Sequence, residues 1–434
     1  MAPAFPEETM IRATAALLSI GFVVLGATAP GAAQAPDRGA SAAFTPPPFP
    51  RLMGMNIGKK HYDDEAYQRQ LARLHYVILG FYKGWNPKYG MDRVVRNLKE
   101  FSGGKILVGQ YTVLNEIQDE RPGKSVNADV LEKLDAMAWW ARDASGNRVQ
   151  WTVQYKAWDI NYTAWTRADA DGRRFPQWMA ERNKGVYFDR APFDIWYLDN
   201  MMDKPYVRKA DWNLDGKDED NRDPAVGPVY RAGQRAQIDH IRRIRPDVRI
   251  MGNVSGDLSD PEWAGQIEGA FLETLVGAKW SDEKQKGWPA MMRRYRGFMK
   301  NTRAPHLVGF NYKGALTDYR RFRYGLASCL LDDGYYCYTD EAAGYSSVPW
   351  FDEYDVALGA AVSVPPSAAW TNGIWRRDFA KGVALVNPET NAATVVVEPG
   401  LRRIRGTQDP SINDGSPAVS VRLEAKDGLL LLRE

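Results

Sequence analysis

Apolar and polar residues alternate in blocks along most of the chain. Short runs rich in β-branched, aromatic and aliphatic residues occupy 52–57, 76–81, 106–113, 193–198, 248–253, 267–273, 307–312 and 334–339, and they read as strands. Between several of them lie stretches with apolar residues at helical spacing, over 64–74, 91–101, 128–141, 230–244 and 316–331. Strands that alternate with helices predict a parallel sheet, and eight strands predict an α/β chain built as a (β/α)8 TIM barrel with enlarged loops. A further apolar run at 157–160 falls in the long third strand-to-helix connection. A doubly wound open sheet is the competing layout, but no glycine-rich phosphate loop follows the first strand.

The pattern changes near residue 370. Runs at 382–387, 394–398, 402–406, 419–423 and 428–432 are divided by Asn-Pro, Pro-Gly, Asn-Asp-Gly and Asp-Gly turns, the spacing of a small C-terminal antiparallel β-sandwich. The expected role of such an appendage is to cover one side of the barrel. The N-terminus carries an apolar stretch at 13–27, followed by Ala32, Ala33 and Ala35. It is too short to span a bilayer comfortably and reads as an export signal. Glu7 and Glu8 are out of place in such a signal, whereas Met10-Ile11-Arg12 starts one well, so translation is expected to begin at Met10. The expected organisation is a signal peptide over 1–35, with the mature chain starting near Gln34, a Pro/Ala/Ser linker over 36–50, a catalytic barrel over 51–368 and the sandwich over 369–434. The mature protein is expected to be secreted or periplasmic, monomeric and without a membrane span.

With 44% hydrophobic and 26% charged residues, the chain has the composition of a globular protein. Its formal charge of +3 is spread without a basic block, which argues against a nucleic-acid partner. The aromatics change the picture more. Fifteen Trp and 21 Tyr are present, and Trp85, Trp139, Trp140, Trp151, Trp158, Trp280 and Trp288 fall where loops are expected. Aromatic faces stack on the C–H faces of sugar rings, which suits a carbohydrate cleft, although any one of them could equally fill a core. The four His lack metal-ligand spacing, which removes the basis for a zinc hydrolase. Cys329 and Cys337 are close enough in sequence for a short disulfide, with two buried thiols as the alternative.

In a barrel the C-terminal ends of the strands face the active site. Two of the apolar runs end in an acid, Asp199 and Glu273. A pair of carboxyls is what glycosidic-bond cleavage requires, one to donate a proton and one to attack carbon or activate water; for either acid alone, helix capping or an Arg pair would explain it. Other polar strand-end residues include Asn56, Gln110, Glu116, Asn253, Asn311, Tyr312 and Asp340. A ring of amides, acids and aromatics suits a hydroxyl-rich ligand. After Asp199 comes the run Asp211, Asn213, Asp215, Gly216 and Glu219, which matches the first half of a calcium loop; its twelfth position is Arg222 instead of a bidentate acid. A structural Ca2+ held by Asp211, Asn213, Asp215 and Glu219 is one reading, and a solvated Asx-rich turn is the other. No cofactor is expected for the chemistry itself.

The segments 77–85, Tyr197 to Asn200 with the Asp211 run, Gly252-Asn253, 269–274, 350–355 and 382–388 together resemble hypothetical glycoside hydrolase family fifteen, from about residue 50 to the C-terminus. More broadly the chain is similar to the endo-α-polygalactosaminidase-like barrels. The resemblance implies a TIM-barrel glycosidase with Asp199 as nucleophile or stabilising carboxylate and Glu273 as general acid/base. On that reading Asn56, Asp159, Asn253, Asn311, Tyr312 and Asp340 hold hydroxyls, and Trp85 and Trp158 form stacking platforms. The expected function is an exported glycoside hydrolase acting on a poly- or oligosaccharide. The alternatives are a carbohydrate-binding barrel without turnover and a barrel hydrolase of another chemistry.

Overall fold

The computed structural model describes residues 44–82, 88–119, 127–254 and 258–434. Trp85, the expected export signal and most of the expected linker lie outside the described residues. Eight parallel strands form one sheet in sequential order: β1 (Met53–Asn56), β2 (Tyr76–Leu79), β3 (Leu107–Val113), β4 (Ile195–Met201), β5 (Arg249–Val254), β6 (Gly269–Val276), β7 (Gly309–Gly314) and β8 (Tyr335–Asp340). Leu52 forms a parallel bridge to Tyr336, so the first strand returns to the last and the sheet is a nearly closed barrel. Each of the eight runs expected from the sequence lies on one of these strands.

Side-chain parity builds the barrel. Met53, Met55, Tyr76, Ile78, Ile195, Tyr197, Met251, Phe271, Tyr335 and Cys337 fill the lumen as one buried cluster. Their neighbours of opposite parity, such as Val77, Leu79, Trp196, Leu198, Leu272, Phe310 and Tyr336, face the helical layer. Burial on both faces is why these strands read as nearly continuous apolar runs. Helix Met91–Phe101 buries Val94, Val95 and Leu98, a spacing of one, three and four that keeps one stripe on the sheet. Among the described residues no helix is long and apolar enough to cross a membrane.

The third connection is a large excursion whose Val130, Leu131, Leu134, Trp139, Trp140 and Phe175 cluster with Trp212 of the next connection in a separate core. Within the excursion Ala157–Asp159 pairs antiparallel with Glu116–Gln118, outside the barrel sheet. Trp139, Trp140 and Trp288 are buried packing residues, the core role that the sequence left open for each, and Trp288 opens a helix where a loop was expected. Helices Phe175–Asn183 and Trp288–Asn301 also form where no helical pattern was read.

The C-terminal segment forms small antiparallel sheets from β9 (Trp375–Phe379), β10 (Gly382–Asn387), β11 (Ala393–Val396), β12 (Leu401–Arg403), β13 (Ser420–Leu423) and β14 (Asp427–Arg433). Four strands pair in the order β9-β10-β14-β12, and β11 pairs with β13. Valine and leucine side chains from both groups share one core. These sheets rest on helix Tyr319–Leu330. Its buried Arg323 reaches Asp409 at 2.6 Å and the Gly428 carbonyl at 3.2 Å. A Cβ on Gly428 would stand 2.2 Å from the Arg323 carbonyl oxygen, so only glycine permits this approach. Cys329 and Cys337 are buried free thiols, which decides against a disulfide.

Candidate active site

The barrel mouth opens into a cleft of about 960 Å³ lined by Tyr111, Glu116, Trp151, Tyr155, Tyr197, Asp199, Asn200, Tyr206, Asn253, Phe271, Glu273, Trp280, Asp282, Lys286, Arg294, Lys313 and Tyr345, among others. Asp199 and Glu273 both reach it, from β4 and β6. A shared backbone device aims them. The residue after each acid adopts a left-handed conformation, Asn200 at φ 55° and Thr274 at φ 52°, and strand register shifts there, between Leu198 and Met201 and between Leu272 and Val276. Such bulges bend a strand and redirect a side chain. Asn tolerates this conformation, but a β-branched Thr does not adopt it without cost, about 1–3 kcal/mol.

Neighbouring side chains restrain both kinks. The Thr274 amide donates to Asn311 Oδ1 at 2.9 Å, while Asn311 Nδ2 donates to Thr339 Oγ1 at 2.9 Å and to the Cys337 carbonyl at 3.1 Å. On the other side Asn200 Nδ2 donates to Glu116 Oε1 at 3.3 Å, and the Trp151 indole donates to Glu116 Oε2 at 2.7 Å.

Asn253 ties the acids together. Its Nδ2 donates to Asp199 Oδ1 at 3.0 Å and to Glu273 Oε2 at 2.9 Å, which caps the separation of these two oxygens at about 6 Å, the two bonds end to end. The Tyr111 hydroxyl donates to Asp199 Oδ2 and the Tyr345 hydroxyl to Glu273 Oε1. Burial pushes the Asp199 carboxyl up to about 6; the nearby Glu273 adds to this, and the bonds from Tyr111 and Asn253 pull against it. Deeper in the wall, burial and then the charge of Glu116 push Asp159 up to about 8, against a bond from the Trp151 amide. Burial also raises Glu116 above the usual carboxylate range. A half-buried cluster of acids of this kind can hold one proton near neutral pH, which acid–base chemistry needs.

The other sequence-derived residues are placed differently. Asn253 lines the cleft, but Asn56, Trp158, Asp159, Asn311, Tyr312 and Asp340 are absent from its wall. Asn56 is buried and donates to the Tyr345 carbonyl. Trp158 lies under Arg148 in the excursion. Tyr312 stacks on Tyr338 in the helix-facing layer, and Asp340 caps the turn at Ala342. Asp211, Asp215 and Glu219 bring carboxylate oxygens within 4.8 Å of one another, an all-oxygen set that fits a hard cation. Their oxygens and that of Asn213 also accept backbone amides of the same turn. The turn anchors through buried Trp212, and none of the four side chains lines the cleft. Sequence reasoning missed Tyr111, Tyr345 and Lys313, all of which the alternation of inward and outward positions on β3 and β7 or proximity to β8 brings to the mouth.

Comparison with known proteins adds the family. The profile of hypothetical glycosyl hydrolase family 15 matches residues 106–383. No curated protein matches the chain. Among solved structures, Amy13B of Eubacterium rectale is 10% identical with a TM-score of 0.49, covering 88% of this chain and 95% of that one. The GH36 α-galactosidase AgaA of Geobacillus stearothermophilus is 11% identical with a TM-score of 0.43, covering 90% and 56%. The uncharacterized protein lmo2446 of Listeria monocytogenes EGD-e is 10% identical with a TM-score of 0.49, covering 89% and 41%. This chain therefore spans little more than half of the galactosidase and less than half of the Listeria protein. With the profile matching well over half of its residues, the chain belongs to hypothetical glycosyl hydrolase family 15.

Proposed function

We propose that the protein is an exported, monomeric glycoside hydrolase that cleaves a poly- or oligosaccharide by double displacement, its barrel braced by a C-terminal β-sandwich. The observation that carries this reading is the Asn253 amide bonded to Asp199 and Glu273 together. It supports two carboxyls that flank one reacting carbon. The cap of about 6 Å on their nearest oxygens favours retention, for which the carboxyls stand roughly 5–5.5 Å apart, over inversion at roughly 6.5–9.5 Å.

Asp199 is the nucleophile. Two donors hold its carboxylate, so its attacking oxygen is oriented before the sugar arrives. That oxygen bonds to the anomeric carbon as the glycosidic C–O bond breaks, and the departing oxygen takes the proton of Glu273. Glu273, exposed in the cleft, then removes a proton from water. The resulting hydroxide displaces Asp199 from the anomeric carbon and restores both groups. Trp151, Tyr155, Tyr206 and Trp280 offer ring faces to sugars. Asp211, Asn213, Asp215 and Glu219 are proposed to seat a structural Ca2+ remote from the chemistry.

Chemical rescue separates the two roles. With an activated aryl glycoside and azide, Glu273→Ala should recover turnover and yield a glycosyl azide of retained configuration. Asp199→Ala should yield the inverted azide. Sugar binding by both variants, with no turnover of any substrate by the native enzyme, would favour the non-catalytic carbohydrate-binding barrel instead.

A further inference from the structure

The cleft is electrically lopsided. On the Glu273 flank three cations border it, Lys286, Arg294 and Lys313, against one further carboxylate, Asp282. Asp282 is already shared: Arg294 Nη1 lies 2.5 Å from it and Lys286 Nζ 3.6 Å. Lys313 has no acidic partner among the described residues. Its ammonium stands 5.8 Å from the ring centre of Trp280, and that indole is 68% exposed.

Lys313 is held in place by the fold. On β7 it shares the inward parity of Asn311 and pairs with Thr339 of β8. Gly277, four residues beyond Glu273, adopts φ +108° and crosses so closely that a Cβ there would stand 1.8 Å from the Lys313 carbonyl oxygen. The backbone that carries the unpaired cation is therefore locked against the strand that carries Glu273. Lys313 is half-buried with no counter-ion among the described residues, so its ammonium is free to pair with an anion that enters the cleft. An exposed indole beside it is a platform for a ring.

We propose that the substrate is an acidic carbohydrate. Its sugar on the Glu273 flank, the leaving-group side, stacks on Trp280 and presents a carboxylate or a sulfate ester to Lys313. Lys286 and Arg294 add to the positive field around that group. The position on the leaving-group side rests on the glycosidase reading above.

The test uses the Glu273→Gln protein, so that binding is read without turnover, and native enzyme for cleavage. Both meet a panel of matched oligosaccharides: uronate-containing chains and the same chains after carboxyl reduction, sulfated chains and the same chains desulfated. At least one acidic member should bind roughly tenfold or more tighter than its neutral match, and added salt should erode that preference. Lys313→Met in the same background should erase the preference, while Lys279→Met, an exposed cation outside the cleft wall, should retain it. Equal binding of acidic and neutral matches, no binding of any acidic member, or equal losses from both lysine variants would overturn the inference. Cleavage restricted to neutral sugars would sink it and leave the hydrolase reading standing. Acidic-selective binding without cleavage by native enzyme would do the reverse.

Discussion

Replacing Asp199 with Asn is expected to abolish turnover and yet make the folded protein more stable at neutral pH. The carboxyl sits at about 6 in the fold against 3.8 for a free aspartate, chiefly through burial and secondarily through Glu273. Because the folded value is the higher one, the folded state holds this proton more tightly than the unfolded chain. Below about pH 4 both states are protonated and Asp199 carries no penalty. Stability then falls as pH rises from about 4 to about 6, and the full cost stands at pH 7. Two pH units correspond to about 3 kcal/mol, an upper bound because the carboxyl faces the cleft and solvent screens it. Asn keeps an acceptor for one of the two donors, so losing the other returns about 1 kcal/mol. Urea unfolding of native and Asp199→Asn protein at pH 7 and pH 4, with equal denaturant slopes, reads the difference. A gain of roughly 1–3 kcal/mol at pH 7 that vanishes at pH 4 is the expected result. A variant no more stable at pH 7, or one whose advantage persists at pH 4, would refute the claim that the fold strains this carboxylate.

Three further outcomes are expected. Tyr111→Phe removes a donor to the Asp199 anion, so the acidic limb of the kcat/KM profile should move up by roughly one pH unit, about the worth of one charge-assisted bond; an unmoved limb contradicts the nucleophile assignment. Arg323→Ala leaves buried Asp427 and half-buried Asp409 without their cation and should cost about 3–5 kcal/mol in chemical unfolding, with a smaller loss meaning that the C-terminal sheets hold to the barrel by apolar packing. A chelator should lower the melting temperature and excess Ca2+ restore it; an unchanged melting temperature, with Asp215→Ala fully active, identifies the 211–219 run as a plain turn.

The barrel was legible because its strands are buried on both faces, and such strands must be continuously apolar. The segments that escaped reading obey other rules. Helix Trp288–Asn301 contains Pro289, Gly297 and several Arg, and it gains its order from Trp288, Met291, Met292, Tyr295 and Phe298 packing inward. Strand Trp375–Phe379 opens with Trp-Arg-Arg-Asp and resembles a polar loop. In the fold, buried Arg377 bonds Asp333 and the Leu330 carbonyl, while Arg376 pairs with Asp378 and Glu398. Tertiary ion pairs of this kind leave no local periodicity to detect.

Parity explains which site residues the sequence could yield. Side chains on a strand alternate between lumen and helical layer, and strand-end position alone does not say which face a residue takes. Tyr197 and Phe271 point into the lumen, so Asp199 and Glu273, two residues further on, must follow them, as Asn253 follows Met251. Met55 fills the lumen, so Asn56 cannot; Cys337 does, so Asp340 falls on the opposite parity. The same rule on β7 sets Asn311 and Lys313 inward and Tyr312 outward, which is where the structure has them. What parity does not supply is the left-handed step after each acid. In that conformation Asn200 and Thr274 are bonded to Glu116 and Asn311, which are remote in sequence. On the proposed glycosidase reading the two clamps are positioning residues, and Asn311 would act by fixing the strand under Glu273 instead of by touching sugar.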